Sequence, residues 1–214
     1  IAGNPATQAT RTVSIDTSAP SITISTVSSD NIINASEKTA GVTVGGTTTV
    51  ENGQTVTIVW GSTTKTAIVS GGAWTTSFAS SEIPADTANS TITANVSNVA
   101  GTPATQASKT VSIDTLAPTI SISNVTSDNI INTSEKTAGV TVSGTTTAED
   151  GRTVTVVWGS TTKTATVSGG TWSALFASAE IPADTASSTI TANVSDIAGN
   201  PATQATRTVS IDTS

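Results

Sequence analysis

The sequence predicts an all-β chain of tandem β-sandwiches, on three observations. First, a motif built on Val-Ser-Ile-Asp-Thr recurs with a fixed period: Asp16, Asp114 and Asp212 are each 98 residues apart. That period is the size of a small domain and is longer than a solenoid repeat. Second, the runs between recurrences are short and alternate apolar with polar residues, as half-buried strands do. Third, charged residues make up only 11% of the chain while Thr, Val, Ser, Ala and Gly dominate. Helices would favour Glu, Lys, Leu and Arg, whereas β-branched Thr and Val suit strands.

Setting residues 17–114 against 115–212 leaves 23 differences, and residues 1–18 match 197–214 letter for letter. The expected organisation is the last loop and strand of a preceding repeat over 1–18, then one repeat over 19–116 and another over 117–214. Pro20 and Pro118 open the two repeats. Each fixes its own φ, removes a donor and holds the residue before it extended. The alternating residues of 1–18, Val13 and Ile15 among them, have no sandwich of their own here. An unhoused strand seeks an edge, so this segment is expected to pack on a neighbouring molecule or to continue an array.

The elements of the first repeat follow in order. Ile22 and Ile24 alternate with Ser21, Thr23 and Ser25 as strand A. The polar run 28–37 is a loop with room for a helical turn. Val42 and Val44 mark strand B, which ends at Gly45-Gly46. Asn52-Gly53 is a strong turn signal, answered by Asp150-Gly151 in the second repeat. Strand C is residues 54–60, with Val56, Ile58 and Trp60 on one face. Gly61-Ser62 turns the chain into residues 65–69, and Ser70-Gly71-Gly72 turns it back into residues 73–78. Ile68 and Ser77 become Thr166 and Leu175 in the second copy and so face solvent, leaving Ala67, Val69, Trp74 and Phe78 inside. Strand F buries Ile92, Ala94 and Val96, and strand G ends at Val111 and Ile113. About seven short strands with Gly/Pro/Asn turns and a Trp on strand C describe a sandwich of immunoglobulin type.

Composition excludes several kinds of chemistry. With no Cys there is neither a disulfide nor a thiol, although each repeat must build its core from few large side chains. With no His either, Ser-His-Asp and Cys-His catalysis have no parts. No Gly-rich loop opens a helix to cradle phosphate. Two carboxylates can cleave a glycoside, but the 15 acids are scattered over turns and aromatics are 3% of the chain. The chain is therefore expected not to be an enzyme. A net charge of −7, with 8 unclustered Lys and Arg, argues against nucleic acid. No run is long and apolar enough to span a membrane, and the segment contains no signal peptide.

The acidic loops carry more information. Strands running alternately up and down bring the loop after strand A to the pole where strand G ends. Asp30, Asn31, Asn34 and Glu37 should therefore approach Asp114, and Asp128, Asn129, Asn132 and Glu135 should approach Asp212. Asp196 to Asn200 and Glu149-Asp150 should face the central joint, and Asp16 stands at the one before it. Clustered hard oxygens with few Lys or Arg nearby suit Ca²⁺, which takes about six to eight oxygen ligands in irregular geometry. A divalent cation also removes the mutual repulsion of the carboxylates. The simpler alternative is that Asp and Asn here only make turns and helix caps. Asn98 and Thr102 stand where the second copy has Asp196 and Asn200, so the earlier joint is expected to bind more weakly than the central one, or with a different ligand set.

Thr-rich strands could form a flat face for a glycan or ice, but Thr commonly fills the exposed side of a sheet. The Asn-x-Ser triplets, Asn95-Val96-Ser97 among them, arise by chance in a chain this rich in Ser.

Four motifs together resemble the immunoglobulin-like extender repeats of giant bacterial surface adhesins, the type-I-secreted, RTX-associated and biofilm-forming class. They are Ile-Asp-Thr-x-Ala-Pro at the joints, Ser-Asp-Asn-Ile-Ile-Asn-x-Ser-Glu after strand A, Gly-Thr-Thr-Thr before the Glu-x-Gly turn, and Asp196-Ile197-Ala198-Gly199-Asn200-Pro201 before strand G. The resemblance covers the whole chain. It implies a spacer in a long string, partnered by neighbouring repeats and carrying Ca²⁺ at or near the joints, on the outside of the bacterial cell. It also implies that a host or surface ligand is bound elsewhere in the full protein. By position, the implied ligands are Asp30, Glu37, Asp114, Asp128, Glu135, Asp196 and Asp212. The rival expectation is a module that binds glycan or ice directly through an exposed strand face; the inward alternation of Trp60, Trp74, Trp158 and Trp172 speaks against it.

Overall fold

The computed structural model describes residues 2–214. The first sequence repeat contains β1 (Ile32–Ile33), α1 (Ala35–Ala40), β2 (Val42–Thr47), β3 (Thr55–Trp60), β4 (Thr63–Ile68), β5 (Ala73–Phe78), β6 (Thr87–Asn95) and β7 (Ala107–Ile113). The second repeats the series as β8 (Ile130–Ile131), α2 (Thr133–Ala138), β9 (Val140–Thr145), β10 (Thr153–Trp158), β11 (Thr161–Thr166), β12 (Thr171–Phe176), β13 (Thr185–Asn193) and β14 (Ala205–Ile211). Each series forms a five-stranded sheet, in the orders β1-β7-β6-β3-β4 and β11-β10-β13-β14-β8, and a two-stranded sheet, β2-β5 or β12-β9. Both are the immunoglobulin-like sandwiches that the alternation predicts.

The tryptophans show why these residues form these layers. β3 buries Val56, Ile58 and Trp60 completely and turns Thr55, Thr57 and Val59 outward. Trp60 pairs across from Ile92 of β6 and meets Phe78 edge-on at 5.1 Å between ring centres. Its indole N–H donates to Ser90 Oγ at 2.8 Å, so a large apolar side chain enters the core with its one polar atom satisfied. Trp158 repeats the arrangement with Phe176 at 5.3 Å and Ser188 Oγ at 2.9 Å. Trp74 and Trp172 are also buried. Ile68 and Leu175, placed outside from the differences between copies, are 61% and 60% exposed.

Strand A is less regular than its alternation suggests. Residues 21–25 hydrogen-bond along β2, with Thr23 N–H to Thr47 O at 2.9 Å and Ser25 N–H to Gly45 O at 2.8 Å, yet they form only the single bridge Ile22↔Thr48. After that segment the chain crosses over, and β1 pairs in parallel with the end of β7, Ile32 opposite Ser112 and Ile33 opposite Ile113. The turn at Asn52-Gly53 forms as expected. Gly53 holds φ at +89°, a region that favours glycine, and the Asn52 carboxamide accepts from Gly71 N–H at 2.8 Å.

The chain divides into two compact units. One comprises Ile1–Asn31, Gly41–Pro84 and Asn89–Val111; the other comprises Ile32–Ala40, Ala85–Ala88 and Ser112–Ser214. Residues 2–18 form no regular element, and Val13 and Ile15 are 73% and 85% exposed. In the identical stretch of β14, Val209 and Ile211 are both 2% exposed. The same letters thus lie inside or outside according to whether a sheet is there to receive them. Among the described residues no helix is long and apolar enough to cross a membrane.

Candidate functional site

A polar cluster lies in the second compact unit, around Asp114 and Asn200. β7 delivers Asp114 to the end of its sheet, where its N–H continues the parallel ladder to Ile33 O at 3.0 Å. Its Oδ1 accepts from Leu116 N–H at 3.1 Å, which turns the chain toward Pro118. Opposite stands the tight loop Asp196 to Asn200, closed by Gly199 N–H to Asp196 O at 3.2 Å. Inside it, Asp196 takes both an N–H and a side-chain N–H from Asn200, at 2.7 and 2.9 Å. The two side chains are 3% and 2% exposed.

So held, Asn200 works as a clasp. Its Nδ2 also donates to Asp114 O at 2.9 Å, and its Oδ1 accepts from Ala35 N–H at 2.9 Å. Asn34 Nδ2 adds a bond to Ala198 O at 3.1 Å. The clasp gives partners to Ala35 N–H at the start of α1 and to a carbonyl at a strand end, positions where orphaned backbone groups are costly. Replacing Asn200 with alanine is expected to cost about 2 kcal/mol, measured by urea unfolding. A change below about 0.5 kcal/mol would mean that water satisfies these groups.

Beside the clasp, Asp86 receives Thr115 N–H and hydroxyl, each at 2.9 Å, with Lys38 at 3.8 Å. Asp184 meets Thr213 and Lys136 in the same way. Lys65–Glu82 and Lys163–Glu180 pair at 2.7 and 2.6 Å. The Thr115 backbone N–H holds the Asp86 carboxyl below its ordinary value, as the Thr213 hydroxyl does for Asp184. Lys65 and Lys163 do so for Glu82 and Glu180 through hydrogen bonds. Groups with depressed folded-state values contribute stability that is present above their unfolded values and lost as pH falls through the folded ones. The melting temperature is therefore expected to hold near neutrality and to fall as the pH drops from about 5 toward 3. Asp86→Asn with Asp184→Asn should flatten that decline, and an unchanged slope would contradict the assignment.

The structure brings only part of the expected ligand set together. Asn34 and Glu37 cap α1: Glu37 N–H donates to Asn34 Oδ1 at 2.9 Å and Asn34 N–H to Glu37 Oε2 at 3.0 Å. Asn132 and Glu135 form the same reciprocal cap on α2. Asn31 and Asn129, with φ of 68° and 59°, accept from Val27 and Val125 N–H. Asp128 accepts from Ile130 N–H, which with the Thr126 hydroxyl lowers its pKa. Asp212 accepts from the hydroxyl and N–H of Ser214, which lower its own. Asp30 is exposed. Asp16 accepts from Ser18 N–H at 2.9 Å and Asn98 Nδ2 at 3.1 Å.

The first copy's loop makes a different contact. Asn98 takes Thr102 N–H at 2.8 Å, while Thr102 itself reaches Asp16 O only at 3.4 Å. All donors in both places are oxygens, which suits a hard cation. Among the described residues, however, no three acidic side chains are close enough together to hold a metal ion.

Sequence reasoning had passed over the roles of Asn200, Asp86 and Asp184. The replacement of Asn200 by Thr102 marked the position, and the shared Pro-Ala-Asp-Thr before β6 and β13 was the signal for the two aspartates.

No family model matches the sequence, and no curated protein matches it. Solved structures do. An adhesin described as Ca²⁺-stabilised, which helps an Antarctic bacterium reach out and bind ice, is 36% identical over 93% of this chain and 50% of that one, with a TM-score of 0.59. A structure concerning host cell surface retention of a 1.5-MDa bacterial ice-binding adhesin is 29% identical over 93% of this chain and 67% of that one, with a TM-score of 0.58. This chain thus spans about half and about two thirds of the two. Fibronectin(III)-like modules of Clostridium thermocellum CbhA, 11% identical over 89% of this chain and 94% of theirs at a TM-score of 0.52, share the fold alone.

Proposed function

Because this chain belongs to the immunoglobulin-like repeats of bacterial adhesins, we propose that it is a structural extender, a spacer in a longer surface protein. The observation that carries the reading is the clasp. The compact unit containing the second repeat draws in residues 32–40, 85–88 and 112–116 of the first sequence repeat, fastened through Asn200 to Ala35 and Asp114. A linker of a few residues ordinarily flexes, and hydrogen bonds to buried side chains oppose that bending. The proposed units of the array are residues 19–116 and 117–214, with 1–18 completing a repeat before them. Its partners are the neighbouring repeats of the same protein; it is exported to the bacterial cell surface, catalyses nothing, and the host or surface ligand that anchors the adhesin is bound elsewhere in the full protein.

Calcium belongs to this proposal through the Ca²⁺-stabilised adhesin and the all-oxygen character of the site. Of the sequence's candidates, Asp114 and Asp196 both bond to Asn200 and are the proposed ligands there. Asp16 has the corresponding role at the earlier joint, and Asp212, Asp128 and Glu135 at the later one. Bound metal supplies positive charge among carboxylates and stabilises the fold by linkage. Small-angle scattering in millimolar Ca²⁺ and then in EDTA tests both parts. A long, stiff particle that loosens in EDTA is expected. A particle that is stiff in both conditions removes calcium and keeps the extender, and one that is flexible in both refutes the rigid spacer.

A further inference from the structure

We propose that the second sequence repeat carries a binding groove for a neutral sugar unit, over Trp172, independent of the extender reading. The groove has a volume of about 410 Å³, and its lining includes Ser123, Ser143, Thr166, Thr171, Ser173 and Trp172. Trp172 is 3% exposed, and its indole N–H has no hydrogen-bond partner among the described residues. The contrast lies within the same chain, where Trp158 spends its indole N–H on Ser188. A buried donor without an acceptor costs free energy, so an acceptor that reached this N–H, which is closed to solvent, would gain more than one bound by an exposed group.

The walls indicate what kind of ligand fits. No lining residue but one carries a charge or a bulky apolar group; the exception is Trp172 itself. Ser123, Ser143, Thr166 and Ser173 bring their hydroxyls to the groove. Each offers one donor and two acceptor lone pairs. Such a surface complements an uncharged polyol and supplies no countercharge to an anion or a metal ion. Binding pockets commonly combine an apolar floor with a few placed polar groups, and here the indole supplies the floor.

The sister repeat provides the comparison. Four of the 23 differences between copies fall in this groove: three add a hydroxyl to the second, Gly45 becoming Ser143, Ile68 becoming Thr166 and Ala73 becoming Thr171, and the fourth, Thr75 to Ser173, keeps one. Trp74 is 3% exposed and equally without a partner, but its surroundings lack those three hydroxyls. The two copies therefore share the orphan donor and differ in the walls.

The test uses the whole chain and its four indole N–H resonances. Methyl glycosides of glucose, galactose, mannose and N-acetylglucosamine are titrated to about 100 mM, a range that detects affinities on the order of 10 mM. At least one sugar is expected to move the Trp172 signal saturably while Trp74 stays in place. The triple variant Ser143→Gly, Thr166→Ile, Thr171→Ala should lose that shift at least tenfold in affinity. It installs residues that the first repeat already carries in the same fold, so it is expected to fold. No saturable shift with any of the four sugars overturns the proposal. So do equal shifts at Trp74 and Trp172, or a triple variant that binds as well as the parent.

Discussion

Replacing Trp158 with alanine is expected to destabilise the protein by about 3–5 kcal/mol, the range for truncating a fully buried aromatic side chain. The side chain is wholly buried between β10 and the facing sheet, edge-on to Phe176. Its removal costs apolar burial, leaves a cavity, and strands the Ser188 hydroxyl that the indole N–H now satisfies. The loss weighs heavily here because the chain has 4 Trp and 2 Phe, with no Tyr, Met or Cys, to build two cores. Trp158→Phe separates the terms: the ring contact largely survives and the hydroxyl still loses its partner, so about 1–2 kcal/mol is expected. Circular-dichroism-monitored urea unfolding reads both. A loss under about 1 kcal/mol for the alanine variant would mean that the sheets close over the gap.

Trp158 was legible in the sequence because its information is local. Alternation with a period of 2 through Val154, Val156 and Trp158 fixes which side faces inward, whatever the rest of the chain does. The same holds for Ile68 and Leu175, whose variation between copies marked them as exposed. The site was harder to read for the opposite reason. Asn200 acts on Ala35, 165 positions away, and Asp86 on Thr115, 29 positions away, and no local pattern announces such pairings. The loop after strand A shows a second limit. Asn34 and Glu37 have the spacing of a reciprocal helix cap and also the chemistry of ligands, and the sequence left both uses open; the structure shows the cap. Strand A reads as strongly as any strand, but an edge with a single bridge carries the same alternation as a full ladder.

That edge explains why Gly144→Ala is expected to cost about 3 kcal/mol or more, as overpacking against backbone does. A Cβ on Gly144 would run into Ser121 O and lie 2.8 Å from Trp172 Cζ2; on Gly46 it would meet Thr23 O and Trp74 in the same way. The carbonyl belongs to the segment that bonds to β9 through Ser121 N–H to Thr145 O and Ser123 N–H to Ser143 O. It can withdraw only by giving up those bonds and lifting Ile122 from the core. The adjacent position is the control. Gly45 also faces a carbonyl, Trp74 O at 2.9 Å from an added Cβ, but the second repeat carries Ser143 there in the same register, opposite Ser173. Gly45→Ser should therefore stay within about 0.5 kcal/mol of the parent, while Gly46→Ala and Gly144→Ala lose stability together. Equal losses at positions 45 and 46 would show that strand propensity, rather than the crossing of strand A, makes glycine necessary. A severe loss confined to 46 and 144 makes the approach of one backbone to another the constraint that keeps these two glycines, and the β-bonded segment above them is then what closes the sandwich over Trp74 and Trp172.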